Sequence, residues 1–513
     1  MFDYHQRASI LSQLSEDFFD VIIIGGGITG AGIALDAQSR GLKVALFEMQ
    51  DFAAGTSSRS TKLIHGGVRY LKQGQIGVVK KTGNERTVLK KLASHLTRPV
   101  NVLIPVYKYS SLKLWQVKLG MWFFEQIVNI TKKNEYKSYK PKQVNDLVPE
   151  LKKKDLKGAV SYVEYLTNDS RLTFSCIRKA YDLGAKTLNY TKVSSFLYEK
   201  NDIAGVAVTD LISGKEFNVK GKIVINAGGP WVDELRDLDK KDSSLELILT
   251  KGIHIVMNRT HFPIQTAIYF EADDQRMIFA IPKGDITYVG TTDTFYNDDK
   301  QNPVVTGEDI RYLINSINHK FPRLNLSLEH IKSSWAGLRP LINEEGKDPS
   351  EISRKDEIFE SNRGLISIAG GKLTGYRLMA KQITNMVCKR LGNKKKSQTK
   401  DVLLYGSGIK DVPTYINSLC LSSPHVSCKD IEDTVYLYGT YAKAMIDELN
   451  ALNTDIDRED IVMKWLDFSL KNEMVCTAAD FFARRTELQR FDPDTVKLTE
   501  ELVEDRIEAY LKG

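Results

Sequence analysis

The sequence predicts an α/β fold (α+β overall) in which a parallel α/β unit is interleaved with an antiparallel sheet, followed by a largely helical C-terminal unit. Three observations carry this reading. Near the N-terminus an apolar β-branched run ends in a glycine-rich turn, then a helix-like segment and a second apolar run follow. Two further apolar runs, ending at Gly228 and Gly370, lie far downstream. Between those two come several short strand-like runs.

The first pattern is Val21-Ile22-Ile23-Ile24 feeding into Gly25-Gly26-Gly27-Ile28-Thr29-Gly30, then Ala31 to Arg40, then Val44-Ala45-Leu46-Phe47 closing on Glu48. Each glycine has a task. Gly25 permits the tight turn, Gly27 lets the backbone approach a pyrophosphate, and Gly30 lets the helix pack close to the strand. Free amides at Ile28 and Thr29, with the positive end of the helix dipole, suit phosphates. Glu48 stands where a carboxylate accepts hydrogen bonds from a ribose. A glycine turn alone also arises from plain packing, but here strand, helix and acid accompany it. An acid at this position disfavours the 2′-phosphate of NADP, which leaves FAD or NAD.

At 513 residues the chain exceeds one ordinary core, and two or three domains are expected. A hydrophobic content of 42% with 27% charged residues excludes a disordered chain. The net charge of +7 suits an anionic substrate or membrane surface. Lysine clusters at 152–154 and 394–396 read as solvated loops, so nucleic acid is not expected as a partner. The five cysteines are scattered without a C-x-x-C pair, so neither a metal site nor a disulfide framework is expected, and a reducing cytosol fits. No signal peptide and no uncharged apolar stretch long enough to span a membrane is visible.

Further along, residues 100–165 read as helical, aromatic and lysine-rich. A helix is expected from Arg171 to Gly184 and a strand from Lys186 to Tyr198. Ile203 to Asp210 and Glu216 to Lys220 alternate as a hairpin about Ser213-Gly214, and Lys222 to Asn226 reads as a separate buried strand entering a glycine turn. His254 to Met257, Met277 to Ile281 and Tyr288 to Gly290 suggest an antiparallel sheet. Leu365 to Ala369 is another buried strand, turning through Gly370-Gly371-Lys372-Leu373-Thr374 into a helix that runs to about Leu391. Glycine-ended strands on both sides of a sheet unit imply a nucleotide domain built from discontinuous pieces. That arrangement favours FAD over NAD. The expected division is 15–100, 166–240 and 336–392 for the FAD-binding domain, 101–165 and 241–335 for the substrate domain, and 400–513 for the helical unit.

The run Gly55-Thr56-Ser57-Ser58-Arg59-Ser60-Thr61-Lys62-Leu63-Ile64-His65-Gly66-Gly67-Val68-Arg69-Tyr70-Leu71 closely resembles the signature of FAD-dependent glycerol-3-phosphate dehydrogenases of the aerobic, bacterial type. The resemblance continues through Ala227-Gly228-Gly229-Pro230-Trp231, Lys251-Gly252-Ile253-His254, Gly290-Thr291-Thr292-Asp293, Ala336-Gly337-Leu338-Arg339-Pro340, the Gly370 turn and residues 480–486. It implies a Rossmann-like FAD domain of the D-amino-acid-oxidase-like type. It also implies oxidation of sn-glycerol 3-phosphate to dihydroxyacetone phosphate, electrons passed to quinone, and peripheral attachment to the cytoplasmic membrane face. A homodimer is left open.

Such a reaction needs cations for a phosphate that is nearly a dianion, a base for the C2 hydroxyl proton, and an acceptor for hydride. Arg69, Arg339, Arg354 and Lys372 resemble the substrate-pocket cations of the family. Charge-assisted hydrogen bonds contribute on the order of 1.5–3 kcal/mol each, whereas an unpaired buried charge costs roughly 3–5 kcal/mol. The second figure dominates, so unphosphorylated glycerol should be rejected. His254 is the candidate base and substrate contact, with a core histidine as the alternative, and Arg339 would stabilise the developing alkoxide. For the cofactor, Gly25, Gly27, Ile28, Thr29 and Gly30 would hold the pyrophosphate and Glu48 the ribose. Thr56, Ser57 and Ser58 would donate hydroxyls to phosphate or ribitol. Lys62, Leu63, Ile64 and His65 would line the flavin, Val193 would meet the adenine through its backbone, and Gly228 belongs to the same shell. Gly371, Lys372, Leu373 and Thr374 would stabilise negative charge on the reduced ring.

Two rival activities stand beside this one: a glycerol-3-phosphate oxidase that makes peroxide from oxygen, and a glycine-oxidase-like amine oxidase. Residues 112–124 mix tryptophans, bulky apolar residues and lysines. They suit either an interfacial anchor or an ordinary core-facing helix, the latter favoured by the sequence alone.

Overall fold

The computed structural model describes residues 1–67, 76–128, 135–239, 246–343 and 356–513. Two sheets dominate it. The first, eight-stranded among the described residues, has the order Asp356–Glu360, Ile366–Gly370, Glu216–Asn226, Phe18–Ile24, Val44–Phe47, Lys186–Leu188, with Thr191–Glu199 and Asp202–Asp210 attached as a hairpin. Its central five strands run parallel. Ile24 pairs with both Phe47 and Asn226, so the carboxyl ends of these strands, and the turns that follow them, lie side by side. A parallel sheet is covered on both faces, which is why Val21 to Ile24 reads as unbroken apolar residues. The covering helices fit closely: a Cβ at Gly32 of helix Ile28–Ser39 would lie 2.7 Å from the Tyr376 ring of helix Tyr376–Arg390.

The second sheet has ten strands and is antiparallel except where Ala267–Glu271 meets Arg98–Tyr107. Its longest pair, Leu247–Asn258 with Ile331–Ile342, sets His254 opposite Trp335, Gly252 opposite Gly337 and Thr250 opposite Arg339. Residues so paired share a face of the sheet. The C-terminal residues form helices Val412–Ser422, Cys428–Tyr438, Ala442–Asn450, Arg458–Asn472 and Pro493–Lys512 around a core containing Trp465.

Several expectations are corrected. Residues 100–165 are not mainly helical: strands Arg98–Tyr107 and Leu156–Leu166 pair along nearly their whole lengths. Pro99 and Pro105 argue locally against a strand. Their second neighbour, however, pairs only with Val102 and Leu103, so neither proline must supply a hydrogen bond there. The expected strand from Lys186 to Tyr198 is two strands, broken at Tyr190, whose φ of +51° reverses the chain out of the parallel sheet. Conversely, Glu216–Asn226 is one strand, because Gly221 admits Ile22, whose side chain would sit 2.9 Å from a Cβ there. Cys420 and Cys428, expected to be unpaired, form a disulfide between the end of one helix and the start of the next. Helix Leu114–Ile127 buries Met121 and Phe124 but exposes Trp115, Leu119 and Trp122, an i, i+4, i+7 stripe. No helix among the described residues is long and apolar enough to cross a membrane.

The helical unit is locked to the first sheet by buried charge. Asp51, wholly buried, receives Arg485 through both carboxylate oxygens (2.7 and 2.9 Å) and Arg484 at 2.5 Å. The two guanidinium groups hold its carboxyl well below the usual carboxylate range against the opposing effect of burial. Asp51→Ala should leave Arg485 without its close carboxylate, while Arg484 keeps Asp480, and cost about 3–5 kcal/mol. Urea unfolding should register this as a lower midpoint, and an unchanged midpoint would show that the pair is replaceable by water.

Candidate active site

A cavity of about 620 Å³ opens at the carboxyl ends of the parallel strands. Its walls include Gly25, Gly27, Ile28, Thr29, Glu48, Thr56, Ser57, Val193, Gly228, Gly371, Lys372 and Leu373, twelve of the residues expected from sequence to bind a cofactor. The glycines are required by space. Gly25 has φ +111° and a Cβ on it would stand 2.5 Å from Ala227 O. A Cβ on Gly30 would meet Gly25 O at 1.9 Å, so Gly30 acts by packing helix on strand and does not itself line the cavity. The helix that begins at Ile28 has no side-chain cap at Gly27, and its first amide gives its hydrogen bond to Ser57 Oγ (2.9 Å). A helix N-terminus so exposed is suited to a phosphate. Glu48 accepts from the Gly26 and Gln50 amides (2.7 and 2.8 Å), and its burial pushes the carboxyl up. The acid is thus oriented into the cavity by its own turn. The donor set and shape fit a dinucleotide such as FAD.

Other expected residues stand differently. Thr56 gives its hydroxyl proton to Leu338 O (2.7 Å) and so ties this loop to the second sheet. Ser58 is buried away from the cavity, and its Oγ has no partner among the described residues. Lys62, expected at the flavin, turns its ammonium the other way, onto Ser58 O, Asp169 and Glu487. The physical cause is its φ of +57° together with two buried carboxylates that outcompete a neutral ring. Leu63 and Ile64 pair with Leu166 and Tyr165 as a short strand. His65 O lies 3.5 Å from Thr374 Oγ1, so the two glycine-bearing motifs touch. Arg69 and Arg354 lie outside the described residues.

The face of the second sheet turned toward this loop has a floor of glycines. At Gly252 a Cβ would collide with Arg339 Nη2 (2.1 Å) and Thr291 Oγ1, at Gly337 with Arg59 O (2.4 Å), and at Gly290 with the His254 ring (2.1 Å). These absent side chains let Arg339 lie across the floor, held by Thr291 Oγ1 (2.8 Å), Asp293 Oδ1 (3.1 Å) and Thr292 O (3.3 Å). His254 is buried, stacked on Trp335 (ring centroids 4.6 Å apart), with Nε2 2.9 Å from Thr61 Oγ1. Its Nδ1 has no partner among the described residues. It does not line the large cavity but lies behind Thr61. Burial, and then the Arg339 and Lys62 charges, hold its imidazole well below the usual histidine range. Sequence reasoning passed over Thr61, Trp335, Thr291 and Asp293 as functional positions. Three of them sit inside the motifs already quoted, and Trp335 immediately precedes one.

The depressed basicity of His254 has a consequence for stability. The native protein holds the ring neutral, whereas an unfolded histidine takes a proton below about pH 6.5. Its contribution is therefore present above that pH and is lost as pH falls toward the native value. The pH dependence of unfolding free energy between about 6.5 and 5 should be shallower in His254→Gln, and an unaltered slope would contradict a buried neutral imidazole.

Comparison with known proteins agrees with this geometry. The family description DAO: FAD dependent oxidoreductase matches residues 20–378. The aerobic glycerol-3-phosphate dehydrogenase of Bacillus subtilis is 43% identical over 513 aligned residues, covering 98% of this chain and 92% of that protein. The Staphylococcus saprophyticus protein of the same name is 44% identical with the same coverage. Among solved structures, a glycerol-3-phosphate dehydrogenase from Bacillus halodurans complexed with FAD superposes with a TM-score of 0.82 at 35% identity, covering 100% of this chain and 98% of that one. A glycine oxidase from Bacillus cereus (TM-score 0.53, 22% identity, 77% of this chain and 99% of that one) shares the fold. On these matches the chain belongs to the FAD dependent oxidoreductases, within the aerobic glycerol-3-phosphate dehydrogenase family.

Proposed function

We propose that this chain oxidises sn-glycerol 3-phosphate to dihydroxyacetone phosphate, with FAD in the large cavity and a membrane quinone as the final acceptor. One observation carries the reading. The cavity that fits a dinucleotide carries Lys372 in its wall, and Pro340, also in that wall, adjoins Arg339 on the glycine floor.

 What matters is that a lysine and an arginine stand where the nucleotide cavity meets the second sheet, which is the charge a small phosphorylated alcohol requires.

In this reading Arg339 and Lys372 take the phosphate or the developing alkoxide, Arg by a planar fork and Lys as a point charge. His254 takes the C2 hydroxyl proton by relay through the Thr61 hydroxyl, which lies 2.9 Å from Nε2 and next in the chain to Ser60 of the cavity wall. Its neutral state leaves a lone pair for that proton, and Thr61 on Nε2 fixes the ring's orientation, while stacking on Trp335 prevents it from turning. Bound FAD supplies the acceptor for the two electrons that leave C2 as hydride. The Gly371 to Thr374 turn meets the His65 turn at the same place, so both motifs border the redox end of the cavity. Peripheral attachment is carried by helix Leu114–Ile127, whose outward stripe of Trp115, Leu119 and Trp122 is flanked by Lys113 and Lys118. Tryptophan at an interface with lysines toward anionic headgroups is the chemistry of a monotopic contact.

Three experiments test these statements. Anaerobic addition of glycerol 3-phosphate should bleach the yellow flavin band, whereas glycerol at the same concentration should not. Arg339→Ala should lower kcat/KM by at least a hundredfold, from the loss of roughly two charge-assisted contacts of ~1.5–3 kcal/mol each. Failure to bleach, or an unaltered kcat/KM, would remove the substrate assignment. For the membrane, the protein should co-sediment with vesicles containing anionic lipid, and Trp122→Glu should release most of it. Equal sedimentation of both would discount this helix as the anchor.

A further inference from the structure

The C-terminal helical unit supplies no residue to the large cavity. One of its side chains nevertheless reaches the segment on which the site depends. From Ser60 to Lys62 the polar groups are held from several sides. Ser60 gives both its amide and its hydroxyl proton to Asp169 Oδ2 (3.0 and 2.7 Å), and its Oγ accepts from the Lys62 amide (2.9 Å). Thr61 O accepts from the Tyr288 hydroxyl (3.1 Å), and Thr61 Oγ1 is the atom beside His254. Lys62 O accepts from the Thr167 amide (2.9 Å).

The centre of this arrangement is the Lys62 ammonium. It is almost fully buried, donates to Ser58 O at 2.9 Å and Asp169 Oδ1 at 2.6 Å, and forms an ion pair with Glu487 Oε1 at 2.5 Å. The first two belong to the segment itself and to the helix Asp169–Asp182 beneath it. The third comes from the C-terminal unit. Glu487 is buried, has a left-handed backbone (φ +63°), and its other oxygen lies 3.2 Å from Lys283. With Asp169 alone, the Lys62 and Lys283 ammonium groups would have one carboxylate between them, and Glu487 supplies the second. The pair borders a separate cavity of about 440 Å³ between the helical unit and the second sheet.

We propose that Glu487 is a positioning residue: acting through Lys62, the C-terminal unit holds the Ser58–Thr61 segment so that Ser60 stays in the wall of the large cavity and the Thr61 hydroxyl stays on His254. The effect on the reaction rests on the function proposed above; the effect on the segment does not. The C-terminal unit is, in this view, part of the active-site scaffold.

The test compares Glu487→Gln, Glu487→Asp and Lys283→Met with the unsubstituted holoenzyme. Glu487→Gln should keep its FAD but reduce flavin at least tenfold more slowly in stopped flow with glycerol 3-phosphate, with the dissociation constant of a substrate analogue changed less than threefold. Its visible flavin circular dichroism should also change, because the segment beside the ring is displaced. Glu487→Asp, which keeps the charge, should recover part of the rate. Lys283→Met, which removes only the outer partner, should match the unsubstituted enzyme in both readouts. Reduction within twofold of normal together with an unchanged dichroism in Glu487→Gln would overturn the proposal. Should that variant fail to fold, Glu487→Met, of similar length without the charge, takes its place, reduction within twofold of normal together with an unchanged dichroism again overturning the proposal. If the unsubstituted enzyme is not bleached by glycerol 3-phosphate, the substrate reading fails by itself, and the dichroism comparison still decides the role of Glu487.

Discussion

The segment from Gly55 to Gly66 is clamped by the second sheet and by helix Asp169–Asp182, and the rest of the site depends on that clamp. Its start is tied to the second sheet by Thr56 on Leu338 O, and its middle by Asp169, Tyr288 and His254. Its end pairs as a strand and then turns at Gly66, whose amide points at both oxygens of Glu164 (3.0 and 3.2 Å). Glu164 is wholly buried and is balanced by Arg86 (2.8 Å). Removing one member of such a set strands the others in a medium that cannot solvate them. The segment therefore has one arrangement, and the groups it presents to the cavity are fixed before any ligand enters.

Charge is distributed around this clamp by burial rather than by number. A net charge of +7 over 513 residues says little, yet Arg339, Lys62 and His254 lie close enough for the two cations to suppress the third. The neutral imidazole is the electrostatic counterpart of the cation cluster: a protonated ring would add to a surplus that only an incoming anion offsets. Lys62 is neutralised by two carboxylates, Arg339 is steadied by Asp293 and the adjoining threonines, and Asp51 and its two arginines form a set elsewhere. Each cation thus has a defined place, and preorganisation of this kind lowers the cost of ordering the site when substrate binds.

Much of this was legible in the chain. The glycine turn at Gly25, the acid at Glu48 and the downstream turns at Gly228 and Gly371 are local signals with local causes, and all of them border the cavity. The antiparallel strands around His254 were legible as short apolar runs, which are buried nearly throughout. What failed was non-local. Strand Arg98–Tyr107 was hidden by its prolines, since only its partners show that their missing amides are not needed. Lys62 stood in a motif that suggested the flavin, but its direction is set by φ and by Glu487, 425 positions along the chain. No spacing rule connects those two residues. Thr61 and Thr291 were inside recognised motifs, and only the three-glycine floor explains why their hydroxyls reach His254 and Arg339.

The same clamp relates the site to the outer surface. Helix Leu114–Ile127 shows Trp115, Leu119 and Trp122 to solvent, but its inner face carries Phe124, whose ring would lie 2.6 Å from a Cβ placed on Gly66. The Arg86 guanidinium that balances Glu164 lies over that ring at 5.7 Å. Gly66 immediately follows His65, which borders the Thr374 turn. The apolar stripe and the turn beside the redox end of the cavity are therefore on opposite sides of a single helix, a separation on the order of 10 Å. A glycine at position 66 is what allows so short a distance, because any side chain there would force Phe124, and the helix with it, outward.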